Sequence, residues 1–182
     1  LKERNSFRRL RRSPLLSARI WMRRVVFWVG AILVSLVAIA FAAAANFSDA
    51  LFHRVLAVSP YAPLLIAPAG LGFAVFLTRT VFPGAQGSGI PQVIASLEMT
   101  DPDKVKAVLS LRVAVGKVLL TLIGLASGAS IGREGPTVQV GASIMQALGQ
   151  ALKLPTASQQ RALVLAGGAA GIAAAFNTPL AG

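Results

Sequence analysis

Residues 25–45 run for 21 positions without a charged side chain, interrupted only by Gly30 and Ser35. A bilayer core of ~30 Å takes about 20 predominantly apolar residues of α-helix. Backbone inside hydrocarbon must satisfy its own hydrogen bonds, which leaves helices or closed barrels. The run therefore predicts a membrane-spanning helix over 25–45. Composition extends that class to the whole chain. Of 182 residues, 55% are hydrophobic and 13% charged, against roughly 25% charged in an average soluble domain. A cleaved signal peptide is the poorer reading of this run. Its apolar region would span about 7–15 residues, and here more membrane-grade sequence follows, despite the Arg8-Arg9 pair and Ala43-Ala44-Ala45.

The formal net charge is +12, but it is not spread along the chain. Residues 1–24 carry nine Lys/Arg against Glu3, a net +8, and residues 25–182 carry nine basic and five acidic groups, a net +4. A basic block directly before a first span follows the positive-inside bias and predicts a cytoplasmic N-terminus, in the inner membrane if the source is bacterial. It suits anionic lipid headgroups and argues against nucleic acid as a partner. With no cysteine and His53 as the sole histidine, there is no disulfide framework, catalytic thiol or recognisable metal set. No metal or cofactor is expected. The chain starts at Leu1 and stops at Gly182 within an apolar run, which is expected of a fragment.

The organisation reads as a basic segment, residues 1–24, followed by a transmembrane region, 25–182. Within 1–24, arginines alternate loosely with Phe7, Leu10, Leu15 and Leu16, the pattern of an interfacial helix. Trp21 and Trp28 are candidate interfacial anchors. Residues 46–56 read as a short polar connection, and 57–82 as a second apolar stretch broken by Pro60, Pro63, Pro68, Gly70 and Gly72. A short helix is predicted over 91–99; nine residues cover ~14 Å and cannot span. Residues 100–106 read as a polar turn with Asp101 and Asp103. Helices are predicted over 105–127, 137–152 and 162–176, with a loop at 155–160. Gly128/Gly132 and Gly167/Gly171 recur at helix-packing spacing. Unequal, interrupted segments of this kind are typical of transporters built from broken helices.

Two tracts carry the chemistry: Gly87-Ser88-Gly89-Ile90-Pro91 and Gly132-Arg133-Glu134-Gly135-Pro136. Each ends in a proline before an apolar run, the signature of a helix start. A helix start presents unpaired N–H groups and a positive dipole end, and so attracts anions. The glycines allow sharp turns and close approach, and Ser88 adds a neutral donor. Neutral donors bind an ion weakly enough to release it. A carboxylate at membrane depth is costly and marks an ion pathway or proton relay. Glu134, placed just ahead of its helix, would compete with an anion for the same positive end. The bland alternative is that Glu134 caps the helix in an ion pair with Arg133 or Lys117.

These tracts resemble two signatures of the CLC family of chloride channels and chloride/proton exchangers, and Ala174-Ala175-Phe176-Asn177-Thr178-Pro179-Leu180-Ala181-Gly182 resembles a third, in family order. The resemblance implies an all-α polytopic membrane fold with broken and re-entrant helices, the chain forming the first half of an inverted repeat. It implies chloride as substrate, protons as the ion that exchangers couple to it, the bilayer as environment and a homodimer as the full-length assembly. Ser88 would coordinate the central anion with the backbone of Gly89, Ile90 and Gly135. Glu134 would be the gating glutamate, and Lys117 and Arg133 would make the pathway electropositive. Gly87, Pro91, Gly132 and Pro136 would shape the motifs. Serine rather than proline at position 88 points to chloride over nitrate. Tyr61, the only tyrosine, precedes both tracts and is not the family's anion-coordinating tyrosine.

Two readings from other classes compete. Gly128-Ala129-Ser130-Ile131-Gly132 fits a nucleophile-elbow pattern, but that elbow needs a preceding strand and a base for the serine. The other competitor is a membrane anchor or assembly protein whose broken helices serve packing only.

Overall fold

In the computed structural model the described residues are 18–152 and 156–178, and all regular elements among them are helical. Helix α1, Ala18–Val58, runs for 41 residues, about 60 Å at ~1.5 Å per residue. The expected polar connection at 46–56 is thus incorrect, since these residues continue the helix. Between Ala31 and Ser59 there is neither glycine nor proline, so nothing breaks the backbone ladder. The polar residues there fit the helix: Asp49 and His53 lie four apart, with His53 Nδ1 2.9 Å from the Asp49 carbonyl and 3.5 Å from its carboxylate. Pro60 then disfavours helical geometry at the residue before it. On α1, Val26, Gly30, Val34, Ala38, Phe41, Ala45 and Ser48 form one buried stripe. Trp28, Ile32, Leu36 and Ile39 face outward and exposed, which is how a helix meets lipid rather than water. Trp21 is also exposed, with the Arg24 guanidinium 5.6 Å above its ring. Most of the basic N-terminal segment, residues 1–17, lies outside the described residues.

Helix α2, Pro63–Thr80, starts on a proline, tolerates Pro68 inside, and buries no residue. After a 3-10 turn at Pro83–Ala85 comes α3, Ile90–Glu98, the short helix expected from the first tract. Residues 100–106 are not a simple turn. Asp101 accepts a hydrogen bond from the Asp103 amide at 3.0 Å and so caps α4, Pro102–Val108. The helix expected over 105–127 is also broken, because the Ser110 hydroxyl accepts from the Val113 amide at 3.3 Å and starts α5, Leu111–Ala126. Serine offers the backbone that alternative partner. By length and composition, three stretches among the described residues suffice to cross a membrane: Arg24–Val58, Pro63–Thr80 and Pro102–Ala126. The protein is an all-α, multi-pass membrane fold.

Helix α6, Glu134–Ala151, begins three residues before the expected position. Proline is tolerated anywhere in a first turn, where its missing N–H would have no partner anyway, so Pro136 marks the third residue rather than the first. Helix α7, Ala157–Phe176, also starts early. Thr156 accepts from the Gln159 amide at 3.4 Å, and much of the expected loop at 155–160 is helix. Asn177 closes α7 in the left-handed conformation, φ 52°. Residues 179–182 of the third motif lie outside the described residues.

Helix α6 is the centre of the fold, with Gln139, Ala142 and Ser143 fully buried. It crosses α7 at close range, where Gly141 and Gly167 each face the other's backbone carbonyl and a Cβ at Gly171 would lie 2.8 Å from the Thr137 carbonyl. Small residues are what lets helix backbones approach this closely in a membrane. One turn on from Gly141, Met145 sits over Gly30 of α1 and also meets Gly167 of α7. The expected pair Gly167/Gly171 is therefore a packing seam. Gly128 and Gly132 are not, since both lie in the loop 127–133 between α5 and α6.

Candidate functional site

The first tract is built from its own sequence outward. Gly87 and Gly89 adopt positive φ, 74° and 110°, conformations that L-residues with a Cβ avoid. Gln92 then ties the turn: its Oε1 accepts from the Gly89 amide at 3.0 Å, and its Nε2 donates to the Gln86 carbonyl at 3.0 Å. The reach back from the third helical residue to the N-cap amide is half of a capping box. That G-x-x-Q spacing was the signal available for Gln92, which the sequence reading passed over.

Lys117 projects from α5 and is only 2% exposed. Its Nζ donates to the Gly87 carbonyl at 2.9 Å and the Gln86 carbonyl at 3.2 Å. In a trans peptide the N–H points opposite to the C=O, and no peptide bond here is cis. Both carbonyls turn toward Lys117, so the Gly87 and Ser88 amides turn away from it. The ammonium thus lies on the carbonyl side of the tract, polarises it, and itself lines the cavity next to it.

The second tract meets the first backbone to backbone. A Cβ at Gly89 would lie 2.6 Å from the Gly135 carbonyl, and one at Gly135 would lie 2.5 Å from the Ser88 carbonyl. The N-termini of α3 and α6 therefore abut. Against this junction opens a cavity of about 660 Å³ lined by Gly87, Ser88, Ile90, Lys117, Gly132, Glu134, Gly135 and Pro136, with Arg79 and Thr121 across from them. Gly89 is buried behind this wall, and Ser88 is exposed on it.

Glu134 is the first residue of α6 rather than a residue ahead of it, and its carboxylate folds over Gly132. Among the described residues the one ion pair is Asp49–His53. Glu134 is thus paired with neither Arg133 nor Lys117. Arg133 points elsewhere: its Nη1 donates to the Asn46 Oδ1 at 2.8 Å and the Ala42 carbonyl at 3.3 Å, both on α1, and it does not line the cavity. Arg79, on α2, does. Ser130 of the nucleophile-elbow pattern follows a helix rather than a strand, so the elbow geometry is absent there.

Two comparisons bear on this arrangement. Residues 70–182 match the family described as voltage gated chloride channel. The chain is also similar to a solved structure titled a slow cyanobacterial Cl-/H+ antiporter. Identity is 32% and the TM-score 0.71, over 86% of this chain and 37% of the antiporter chain. The chain thus spans little more than a third of that protein's length.

Proposed function

The chain belongs to the voltage-gated chloride channel family, and on that premise we propose that the protein passes chloride across a membrane under the control of Glu134. The observation that carries the reading is the junction of α3 and α6, two helix N-termini at one cavity whose lining also includes Lys117. An ion leaving water needs donors to replace its shell, held firmly but without a strong fixed counter-charge. The Ser88 hydroxyl and the backbone amides of Ile90 and Gly135, in the first turns of α3 and α6, supply such donors, while the Gly89 amide is taken up by Gln92. Lys117 raises the local potential while its charge is engaged with carbonyls.

Glu134 lies on the same wall, at the positive end of α6, where a negative charge is favoured. When ionised, it holds the place an anion would take; when protonated, it gives that place up and chloride moves. A half-buried carboxylate with no ion-pair partner among the described residues, on the wall of a cavity, supports a gate over a packing role. Similarity to a structure titled an antiporter favours coupling of that proton to chloride exchange as a second reading. The basic N-terminal block supports a cytoplasmic N-terminus, and the full-length protein is taken to work as a homodimer in the bilayer.

Flux from reconstituted vesicles tests the gate. Glu134→Gln in the full-length protein is expected to conduct chloride with no dependence on pH. A variant that keeps the wild-type pH response removes Glu134 from the gating role.

A further inference from the structure

The loop that delivers Glu134, residues 127–133, is held against the far part of α1 at both of its ends. At one end the Phe52 ring covers Gly128, whose φ of 82° leaves no room for a side chain. At the other, the Arg133 guanidinium donates to Asn46 Oδ1 at 2.8 Å and to the Ala42 carbonyl at 3.3 Å. Asn46 stands four residues after Ala42, so the two acceptors are neighbours on one face of α1. Arg133 is fixed on its backbone side as well, where its carbonyl accepts from the Thr137 amide at 3.0 Å and from the Thr137 hydroxyl at 2.7 Å. An arginine so held cannot swing without moving the residue bonded to it, and that residue is Glu134.

We infer that Asn46 is a positioning residue for the Glu134 gate, acting through Arg133; the inference rests on the gating role proposed above. The guanidinium is a charged donor, and its bond to a side-chain carbonyl belongs to the stronger class of hydrogen bonds. Asn46 is the only side chain that accepts from Arg133 among the described residues. On the cavity side, Glu134 faces Lys117 and Arg79, cations on α5 and α2 that are untouched by a change at Asn46. Releasing Arg133 therefore loosens the base of the gate without altering the charges in front of it.

The test uses the full-length protein in vesicles and reads the ratio of chloride flux at acidic to neutral pH. Asn46→Leu removes the acceptor at similar volume, and the ratio is expected to fall about three- to tenfold as the gate leaves its place without a proton, the scale of a charge-assisted hydrogen bond discounted for its exposure. Asn46→Asp keeps the acceptor and is expected to retain the ratio within about twofold. Arg133→Leu is expected to match Asn46→Leu, and the double variant to fall no further, as for two residues acting as a unit. An Asn46→Leu protein with the wild-type ratio overturns the inference. So does an Asn46→Asp protein that changes as much as the leucine variant. Should Asn46→Leu not assemble, Asn46→Ser, which draws the acceptor back from the guanidinium, is read by the same criteria. Glu134→Gln is measured alongside. If it abolishes the pH response and Asn46→Leu leaves it intact, only the Asn46 role falls. If it keeps the response, the gate and the inference fall together.

Discussion

Replacing Gly89 by alanine is the sharpest probe of the junction between the two tracts. The added Cβ meets the Gly135 carbonyl at 2.6 Å and Gln139 Cβ at 3.0 Å, distances that real side chains do not keep. The carbonyl belongs to the first turn of α6, so it cannot rotate aside as a side chain would. A second penalty comes from φ of 110°, a conformation that costs an L-residue about 1–3 kcal/mol. Forcing an extra methyl into a packed site costs about 1–3 kcal/mol more. The total of about 2–6 kcal/mol is a large share of the roughly 5–15 kcal/mol that holds a domain folded. At about 2–4 °C per kcal/mol for a chain of this size, the midpoint should fall by at least about 4 °C. Thermal unfolding of the purified protein in detergent measures it, with Gly72→Ala as control. Gly72 lies on α2 with open space around its Cβ position and no positive φ, and alanine there should leave the midpoint unchanged or raise it by up to about 4 °C. Chloride flux per folded protein should be lost in Gly89→Ala and kept in Gly72→Ala. If both variants melt together near wild type, the backbone contact between the two tracts is not there and the reasoning fails.

Two further expectations follow from the same geometry. Ser88→Pro deletes the hydroxyl and the backbone N–H together; chloride, which relies on such donors, should lose ground to nitrate in competition flux assays, and unchanged selectivity would remove Ser88 from the anion site. Gly167→Val places a branched side chain against the Gly141 carbonyl at the α6–α7 crossing, and should lower the unfolding midpoint by about 2–12 °C, from about 1–3 kcal/mol of overpacking; an unaffected midpoint would mean the two helices are not in backbone contact.

The short helix α3 was legible because local chemistry marks both of its ends: glycine, then proline at the start, and a polar stretch after Glu98. The existence of a span after residue 105 was equally plain. Its interruption at Ser110 was not, because serine occurs inside membrane helices as well as at their starts, and only the direction of its hydroxyl decides. The start of α6 was displaced for a similar reason, since proline is compatible with several first-turn positions. At the site, Ser88, Glu134 and Lys117 could be named from spacing and resemblance, and the structure brings them to one wall. Arg133 was placed with them, yet its side chain turns to a helix 87 positions earlier in the chain. Asn46 and Arg79 were not named as site residues at all. Such contacts depend on how distant helices pack, which no local pattern encodes.

The length of α1 reconciles the polar stretch after Ala45 with the unbroken helix through it. Residues 25–45 amount to about 31 Å of helix, nearly the thickness of the hydrocarbon core. The 13 residues from Asn46 to Val58 add about 20 Å more. α1 is therefore about 20 Å longer than a helix along the bilayer normal needs to be. The change in polarity at Asn46 therefore does not mark the end of an element. It marks instead the place where α1 takes hold of Arg133, on a loop far along the chain, through Asn46 and the Ala42 carbonyl.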